Sequence, residues 1–176
     1  PSVNEKELKA LEEVLYSGWY VSGPKVEDFE DKFSNYCGTK YGIGTNSGTA
    51  ALQIALASYG IGPGDEVIVP ALTFFSTATA VIHQNAIPIF ADIDLDSYNM
   101  DPSDVEKRIT EKTKAIIPVH LYGNPAEMDK INEIAEENDL IVIEDCAQAH
   151  GAEYKGEKVG TFGDSACFSF FATKNM

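Results

Sequence analysis

The protein has 176 residues, of which 44% are hydrophobic and 23% are charged, values typical of one soluble globular domain. Its 28 acidic and 13 basic residues give a net charge of −15. That charge argues against binding to nucleic acid or anionic membranes, because both require a basic surface. Three cysteines without a CxxC pair indicate neither a disulfide framework nor a zinc site. We therefore expect a cytoplasmic protein without a metal, a nucleic-acid partner or a membrane segment.

The N-terminal region is predicted to form two helices. Asn4 and Glu7 have the spacing of a capping box, and the apolar stripe that follows them stops at Gly18, a common helix terminator. A second helix is predicted to run from about Pro24 to Gly38, with the proline in the first turn.

Short apolar runs alternate with helical segments through the rest of the chain. The predicted strands cover residues 41–44, 67–69, 87–90, 115–119, 140–143 and 166–171. This alternation is typical of a three-layer α/β/α fold with a mostly parallel central sheet. We therefore divide the chain into a helical arm, 1–38, and a sheet-containing part, 39–176. Ligands of such sheets bind outside the carboxyl ends of the strands, so the residues that follow each strand are the candidates for a site.

The turn after the first predicted strand is a candidate phosphate-binding turn. Gly48 allows a close approach of the backbone, Thr49 adds a hydroxyl, and a helix N-terminus offers free amides and a positive dipole end. An ordinary helix cap made by Ser47 or Thr49 is the alternative interpretation. The glycine spacing here does not match G-x-G-x-x-G, which argues against a dinucleotide-binding oxidoreductase.

An acidic residue, Asp145, directly follows a buried strand. A carboxylate in this place could pair with a protonated ring nitrogen, and Gln148 could reach the same ligand from the next turn. A helix-capping or salt-bridged acid is the alternative.

A lysine, Lys174, follows the last apolar run. A lysine amine can bind an aldehyde cofactor covalently, and Ser169 could donate a hydrogen bond to a phosphate. The pair Phe74–Phe75 could supply a flat apolar partner for a cofactor ring. The alternatives are a solvent-facing loop lysine and two core phenylalanines.

Five motifs carry a resemblance to a known family. They are SGTAA at 47–51, GDEVIVPALTF at 64–74, IPVHLYG at 117–123, EDCAQAHGA at 144–152 and GDSACFSFFATKN at 163–175. In order and spacing they resemble the sugar-nucleotide aminotransferases of the DegT/DnrJ family, over essentially the whole chain. The resemblance implies a fold-type I enzyme dependent on pyridoxal 5'-phosphate (PLP). The chain would then be the N-terminal part of the PLP-binding large domain, without the small C-terminal domain.

The resemblance also implies a role for each site residue. Lys174 would hold PLP covalently, Asp145 would pair with the pyridine nitrogen, and Gln148 would support the region of the ring hydroxyl. The remaining contacts would come from Ser169, Gly48 and Thr49 on the phosphate and from Phe74 stacked on the ring.

The implied reaction moves an amino group from an amino acid, glutamate in this family, to a nucleotide-linked keto sugar in amino-sugar biosynthesis. The family also implies a homodimer with active sites shared between the subunits. One alternative is a PLP-dependent sugar dehydratase, in which histidine replaces the lysine; Lys174 favours transamination. The other is a binding or regulatory protein that keeps the fold without turnover.

Overall fold

The computed structural model describes residues 3–174, which divide into two units, one ending at Gly44 and the other beginning at Thr45. The first unit contains α1 (Glu5–Ser17) and α2 (Pro24–Cys37). The predicted capping box of α1 is confirmed, and Gly18 ends the helix in the left-handed conformation with φ 71°. No residue of α1 is buried.

The second unit alternates strands and helices along the chain. Its helices within residues 45–174 are α3 (Gly48–Ser58), α4 (Ser76–His83), α5 (Pro102–Arg108) and α6 (Met128–Glu137). Its strands in the same range are β1 (Glu66–Pro70), β2 (Ile87–Ala91), β3 (Thr113–Ile116), β4 (Ile141–Asp145), β5 (Glu153–Tyr154), β6 (Glu157–Lys158) and β7 (Ser165–Cys167). A short 3-10 turn, Leu121–Gly123, follows β3. None of the helices in residues 3–174 is long and apolar enough to cross a membrane.

Five strands form one sheet in the order β2-β1-β3-β4-β7, and every neighbouring pair is parallel. All five strands therefore end at the same edge. Strands β5 and β6 form a separate antiparallel hairpin that the sequence did not predict.

The sheet is covered on both faces, which confirms the predicted three-layer α/β/α architecture. Successive residues of a strand point to opposite faces, and in β1 Val67 and Val69 join one core while Ile68 joins the other. The first core includes Leu56 from α3 and the second includes Ile131 from α6. Because β1 and β4 are buried on both faces, their sequences contain continuous apolar runs rather than alternating ones.

Two strand predictions were wrong. Residues 41–44 form no strand, because no strand within residues 3–174 pairs with them; the Gly44 amide instead donates a hydrogen bond to Glu30 Oε1 at 2.5 Å. The last strand is shorter than predicted, since it pairs with β4 only as far as Cys167, where β4 itself reaches Asp145. Residues 168–171, which are Ser169 and three phenylalanines, therefore follow the strand as a loop.

Candidate functional site

The predicted site residues lie on segments that meet at the carboxyl edge of the sheet. Phe74 follows β1, Asp145 ends β4, and Ser169 and Lys174 follow β7. Gly48 is the first residue of α3, a helix packed against β4 and β7. The parallel topology places the ends of β1, β4 and β7 along one edge, although up to about a hundred residues separate them in sequence.

The start of α3 lies directly against Ser169. A Cβ atom placed on Gly48 would stand 2.8 Å from Ser169 Cβ, closer than two side chains can approach. Ser47 caps the helix, because its Oγ accepts a hydrogen bond from the Ala50 amide at 3.1 Å. The absence of a side chain at Gly48 therefore keeps a helix N-terminus and a serine hydroxyl side by side.

Thr49 does not cap the helix. Its hydroxyl donates a hydrogen bond of 2.8 Å to Ser76 Oγ, at the first residue of α4. This bond links the N-terminal turns of α3 and α4, so two helix starts and their hydroxyl groups lie together at this edge.

Asp145 is only 5% exposed, and all its polar groups are engaged. Its amide donates to Pro118 O at 2.8 Å, and its carbonyl accepts from the His120 amide at 3.2 Å. Its carboxylate accepts from the Ala147 amide through Oδ1 at 3.1 Å and from the Thr77 hydroxyl through Oδ2 at 2.9 Å. Burial raises the pKa of Asp145 above its ordinary value, although hydrogen bonds from Ala147 and Thr77 act in the opposite direction.

Sequence reasoning missed Thr77, which is completely buried. Its Oγ1 lies 2.9 Å from Thr73 Oγ1 and 3.1 Å from Phe74 O, in addition to its contact with Asp145. A usable signal was present: two threonines four residues apart, at the entry to a helix that follows a strand.

Lys174 and Phe74 face each other. Lys174 Nζ lies 5.9 Å from the centre of the Phe74 ring, and the lysine is half-buried. Phe74 is 55% exposed and Phe75 is 66% exposed, so the interpretation of these phenylalanines as core residues is wrong. The charge of Lys174 also acts on Asp145, where it favours the ionised carboxylate.

Gln148 is held against the turn that follows β3. Its Oε1 accepts a hydrogen bond of 3.0 Å from the Tyr122 amide. Tyr122 has a φ of 56°, a left-handed conformation that costs a non-glycine residue about 1 kcal/mol, and the hydrogen bond that its amide donates to Gln148 helps to maintain it.

A buried network of His120 and Glu144 lies next to the site. The Ala126 amide donates to His120 Nδ1 at 3.0 Å, so the ring hydrogen is on Nε2 and is donated to Glu144 Oε2 at 2.9 Å. The amides of Gly160, Phe162 and Gly163 also donate to Glu144, each at 2.8 Å.

These hydrogen bonds argue against a metal site in a neighbouring cluster of three potential ligands. His120, Glu144 and Cys146 have ligand atoms within 4.8 Å of one another, close enough in principle for a metal ion. Both nitrogens of His120 and both oxygens of Glu144 already have hydrogen-bond partners. The cluster therefore acts as structural support behind β4 rather than as a ligand set.

His150 packs between aromatic rings, with its ring centre 5.5 Å from that of Phe168 and 5.1 Å from that of Phe170. Burial lowers the pKa of His150, and the charge of Lys174 lowers it further. The neutral form of the ring is therefore favoured beside the lysine.

The fold is a three-layer α/β architecture, and a lysine, a buried carboxylate and a helix N-terminus form a candidate ligand site at the carboxyl ends of its strands. Residues 1–176 match the DegT/DnrJ/EryC1/StrS aminotransferase family, and the chain belongs to that family.

Individual relatives agree with this membership. The chain is 50% identical over 167 residues to the dTDP-3-amino-3,6-dideoxy-alpha-D-galactopyranose transaminase of Aneurinibacillus thermoaerophilus, covering 94% of this chain and 46% of that protein. The aminotransferase from Psychrobacter cryohalolentis superposes with a TM-score of 0.96 at 42% identity, over 99% of this chain and 45% of that one. The PLP form of the sugar aminotransferase Spr1654 from Streptococcus pneumoniae superposes with a TM-score of 0.97 at 37% identity. This superposition covers 100% of this chain and 49% of that one. The chain thus spans about half the length of the curated relatives it matches.

Proposed function

We propose that the protein, in its full natural length, is a PLP-dependent aminotransferase that transfers an amino group from an amino acid to a nucleotide-linked keto sugar. Glutamate is the donor that the family resemblance suggests. The observation that carries the proposal is the convergence of Lys174, the exposed ring of Phe74 and the buried carboxylate of Asp145 at one sheet edge. The transaminase relative that is 50% identical supports the same class of substrate.

The start of α3 fits the phosphate of PLP. The helix N-terminus offers amides and a positive dipole end, and Gly48 leaves no side chain between them and Ser169. The Ser169 and Thr49 hydroxyls are the further candidates for phosphate contacts. Because these 176 residues carry a net charge of −15, the local groups must bind the anion against an unfavourable overall charge.

The environment of Asp145 fits the ring nitrogen. Within residues 3–174 no lysine or arginine forms a salt bridge with its carboxylate, and burial raises the pKa of the group. A protonated pyridine nitrogen placed beside Asp145 would supply the missing cation, and Asp145 would in turn keep that nitrogen protonated. Phe74 would cover the ring, and Gln148 would support the side of the ring that carries the hydroxyl.

PLP, when bound, supplies an electron sink for the electrons left on a substrate carbon after a proton is removed. Lys174 would hold the cofactor through Nζ and act as the general acid and base that moves the proton at the substrate carbon. The buried carboxylate of Asp145, fixed through both oxygens, would hold the ring in a constant orientation during that transfer.

We also propose a homodimer with active sites shared between subunits, and a cytoplasmic location. Exposed aromatic side chains at the edge of the site support the first proposal: Phe75, Phe171 and Tyr122 are at least 66% exposed. The second is supported by the low number of cysteines, three without a CxxC pair, which does not indicate a disulfide framework.

The test is turnover by the purified full-length protein with PLP, glutamate and a panel of nucleotide-linked keto sugars, with the amino sugar detected by mass spectrometry. We expect amination of at least one sugar by the wild type and by Lys112→Ala, a control at an exposed lysine. Lys174→Ala should lose the activity. Water loss from the sugar without amination would support the dehydratase instead, and normal turnover by Lys174→Ala would contradict the proposal.

A further inference from the structure

We propose that Thr77 is a positioning residue that fixes the orientation of the Asp145 carboxylate toward the cofactor ring. The inference rests on the proposed function, because it takes the ring nitrogen of PLP as the partner of Asp145. Thr77 lies in the first turn of α4, and its hydroxyl reaches across the sheet edge to a residue 68 positions further along the chain.

The two carboxylate oxygens of Asp145 accept hydrogen bonds from two different segments of the chain. Oδ1 is held by the Ala147 amide, two residues away in the same loop. Oδ2 is held by Thr77 at 2.9 Å, on a different element. Without Thr77 the carboxylate would keep one local hydrogen bond and could rotate about its χ2 torsion, a broad torsion in aspartate.

The single proton of the Thr77 hydroxyl has three oxygens within reach. These are Asp145 Oδ2, Thr73 Oγ1 and Phe74 O. An ionised carboxylate accepts only, and hydrogen bonds to charged acceptors are about twice as strong as those between neutral groups. The Thr77 proton therefore goes to Asp145, and Thr73 donates its own proton to Thr77.

This order of donors has a chemical consequence. A hydroxyl that donates to Asp145 favours the ionised carboxylate and opposes the effect of burial. The ionised form is the one that keeps a ring nitrogen protonated. Because Phe74 O also lies 3.1 Å from Thr77 Oγ1, the same threonine ties the segment carrying the aromatic ring to the acid.

If Thr77 had only a structural role, its hydroxyl would bond to the start of its own helix. The contact with Phe74 O, three residues back, would be sufficient for that. A hydroxyl that donated only to Phe74 O would leave the buried Asp145 carboxylate without its second donor, which costs about 1–3 kcal/mol or more for a charged group. The two roles differ in whether the effect of Thr77 depends on Asp145.

The experiment measures the dissociation constant of PLP and the absorption spectrum of bound PLP in the full-length protein. The variants are Thr77→Val, Thr77→Ser, Asp145→Asn and the double variant, with Thr79→Val as a matched control on the same helix. Among residues 3–174, the Thr79 hydroxyl bonds only to Ser76 O, in its own helix. Thermal unfolding of the PLP-free proteins verifies folding, and Thr77→Ala provides the same test if valine is not accommodated.

We expect Thr77→Val to weaken PLP binding about tenfold, the effect of losing a hydrogen bond to a charged group. Its spectrum should shift in the same direction as that of Asp145→Asn. Thr77→Ser should restore both readouts, and Thr79→Val should match the wild type. In the Asp145→Asn background, Thr77→Val should change the affinity for PLP less than about twofold, because the effects of substitutions at coupled residues are not additive.

Two outcomes would overturn the proposal while PLP still binds to the wild type. One is wild-type affinity and spectrum in Thr77→Val, and the other is an equal loss of affinity with and without Asp145. A wild-type protein that binds no PLP would instead overturn the proposed function itself.

Discussion

His120 Nε2 donates a hydrogen bond of 2.9 Å to Glu144 Oε2, and neither side chain is exposed. Glu144 directly precedes Asp145 in β4, and the His120 amide donates to Asp145 O. The buried pair therefore stabilises the backbone that presents the site carboxylate, without itself facing the site.

Glu144→Gln is expected to destabilise the protein by about 1–3 kcal/mol or more, because it leaves buried N–H groups without their acceptor. Each oxygen of Glu144 faces N–H donors, so the amide group of glutamine would point its own hydrogens at other donors. Urea unfolding measures the loss. Glu136→Gln, at an exposed position of α6, should change stability by less than about 0.5 kcal/mol; equal stability of the two variants would contradict this account.

The contribution of Glu144 to the free energy of unfolding should decrease as the pH falls. Burial alone would raise its pKa, but the hydrogen bonds from His120, Gly163 and Gly160 bring it below the ordinary value. A lowered folded pKa gives stability that is present above the unfolded value of about 4.3 and is lost as the pH falls through the folded pKa. The difference in unfolding free energy between wild type and Glu144→Gln should therefore shrink below about pH 4. A difference that grows on acidification would contradict the assignment.

Asp145→Asn should stabilise the PLP-free protein at neutral pH, in contrast to the destabilisation expected for Glu144→Gln. The folded pKa of Asp145 is raised by burial, so its favourable contribution is present below the unfolded value and lost as the pH rises through the folded value. At neutral pH asparagine should thus raise Tm above that of the wild type. Thermal unfolding at pH 7.5 and pH 4 measures the gain, which should disappear at the lower pH. Asp31→Asn, at an exposed position of α2, should show neither effect.

The local signals in the sequence were sufficient for most elements. The capping box at Asn4 is contained within a few residues, and it was predicted correctly. Strands need a partner, which is why residues 41–44 satisfied the pattern but formed no strand. The same dependence shortened β7, whose pairing ends with that of β4.

Candidate site residues could be identified where a polar residue follows a strand end, and not where their role depends on contacts between distant segments. Asp145 was a candidate because it ends an apolar run. The pair Thr73 and Thr77 was visible in the sequence, but the hydrogen bond that links Thr77 to Asp145 spans 68 residues and was not. The close contact of Gly48 with Ser169 was likewise invisible, since no sequence pattern reports a distance between two backbone segments.

Gly48→Ala should damage the site through that contact. Its new Cβ would lie 2.8 Å from Ser169 Cβ, so one of the two segments must move. We expect a loss of about 1–3 kcal/mol in stability, as for other overpacked positions, and a PLP affinity at least about tenfold weaker. Gly62→Ala is the matched control, because its Cβ would meet only Gly60 O at 3.9 Å. Calorimetric unfolding and PLP titration measure both effects, and equal behaviour of the two variants would contradict the packing argument.

Reductive trapping tests the central assignment most directly. Borohydride added to the PLP-loaded full-length protein should fix the cofactor irreversibly to one lysine, which peptide mapping by mass spectrometry identifies. We predict the label on the peptide that contains Lys174, the half-buried lysine beside Phe74, and on no other lysine. A label on a different lysine, or none in protein that carries PLP, would contradict the account.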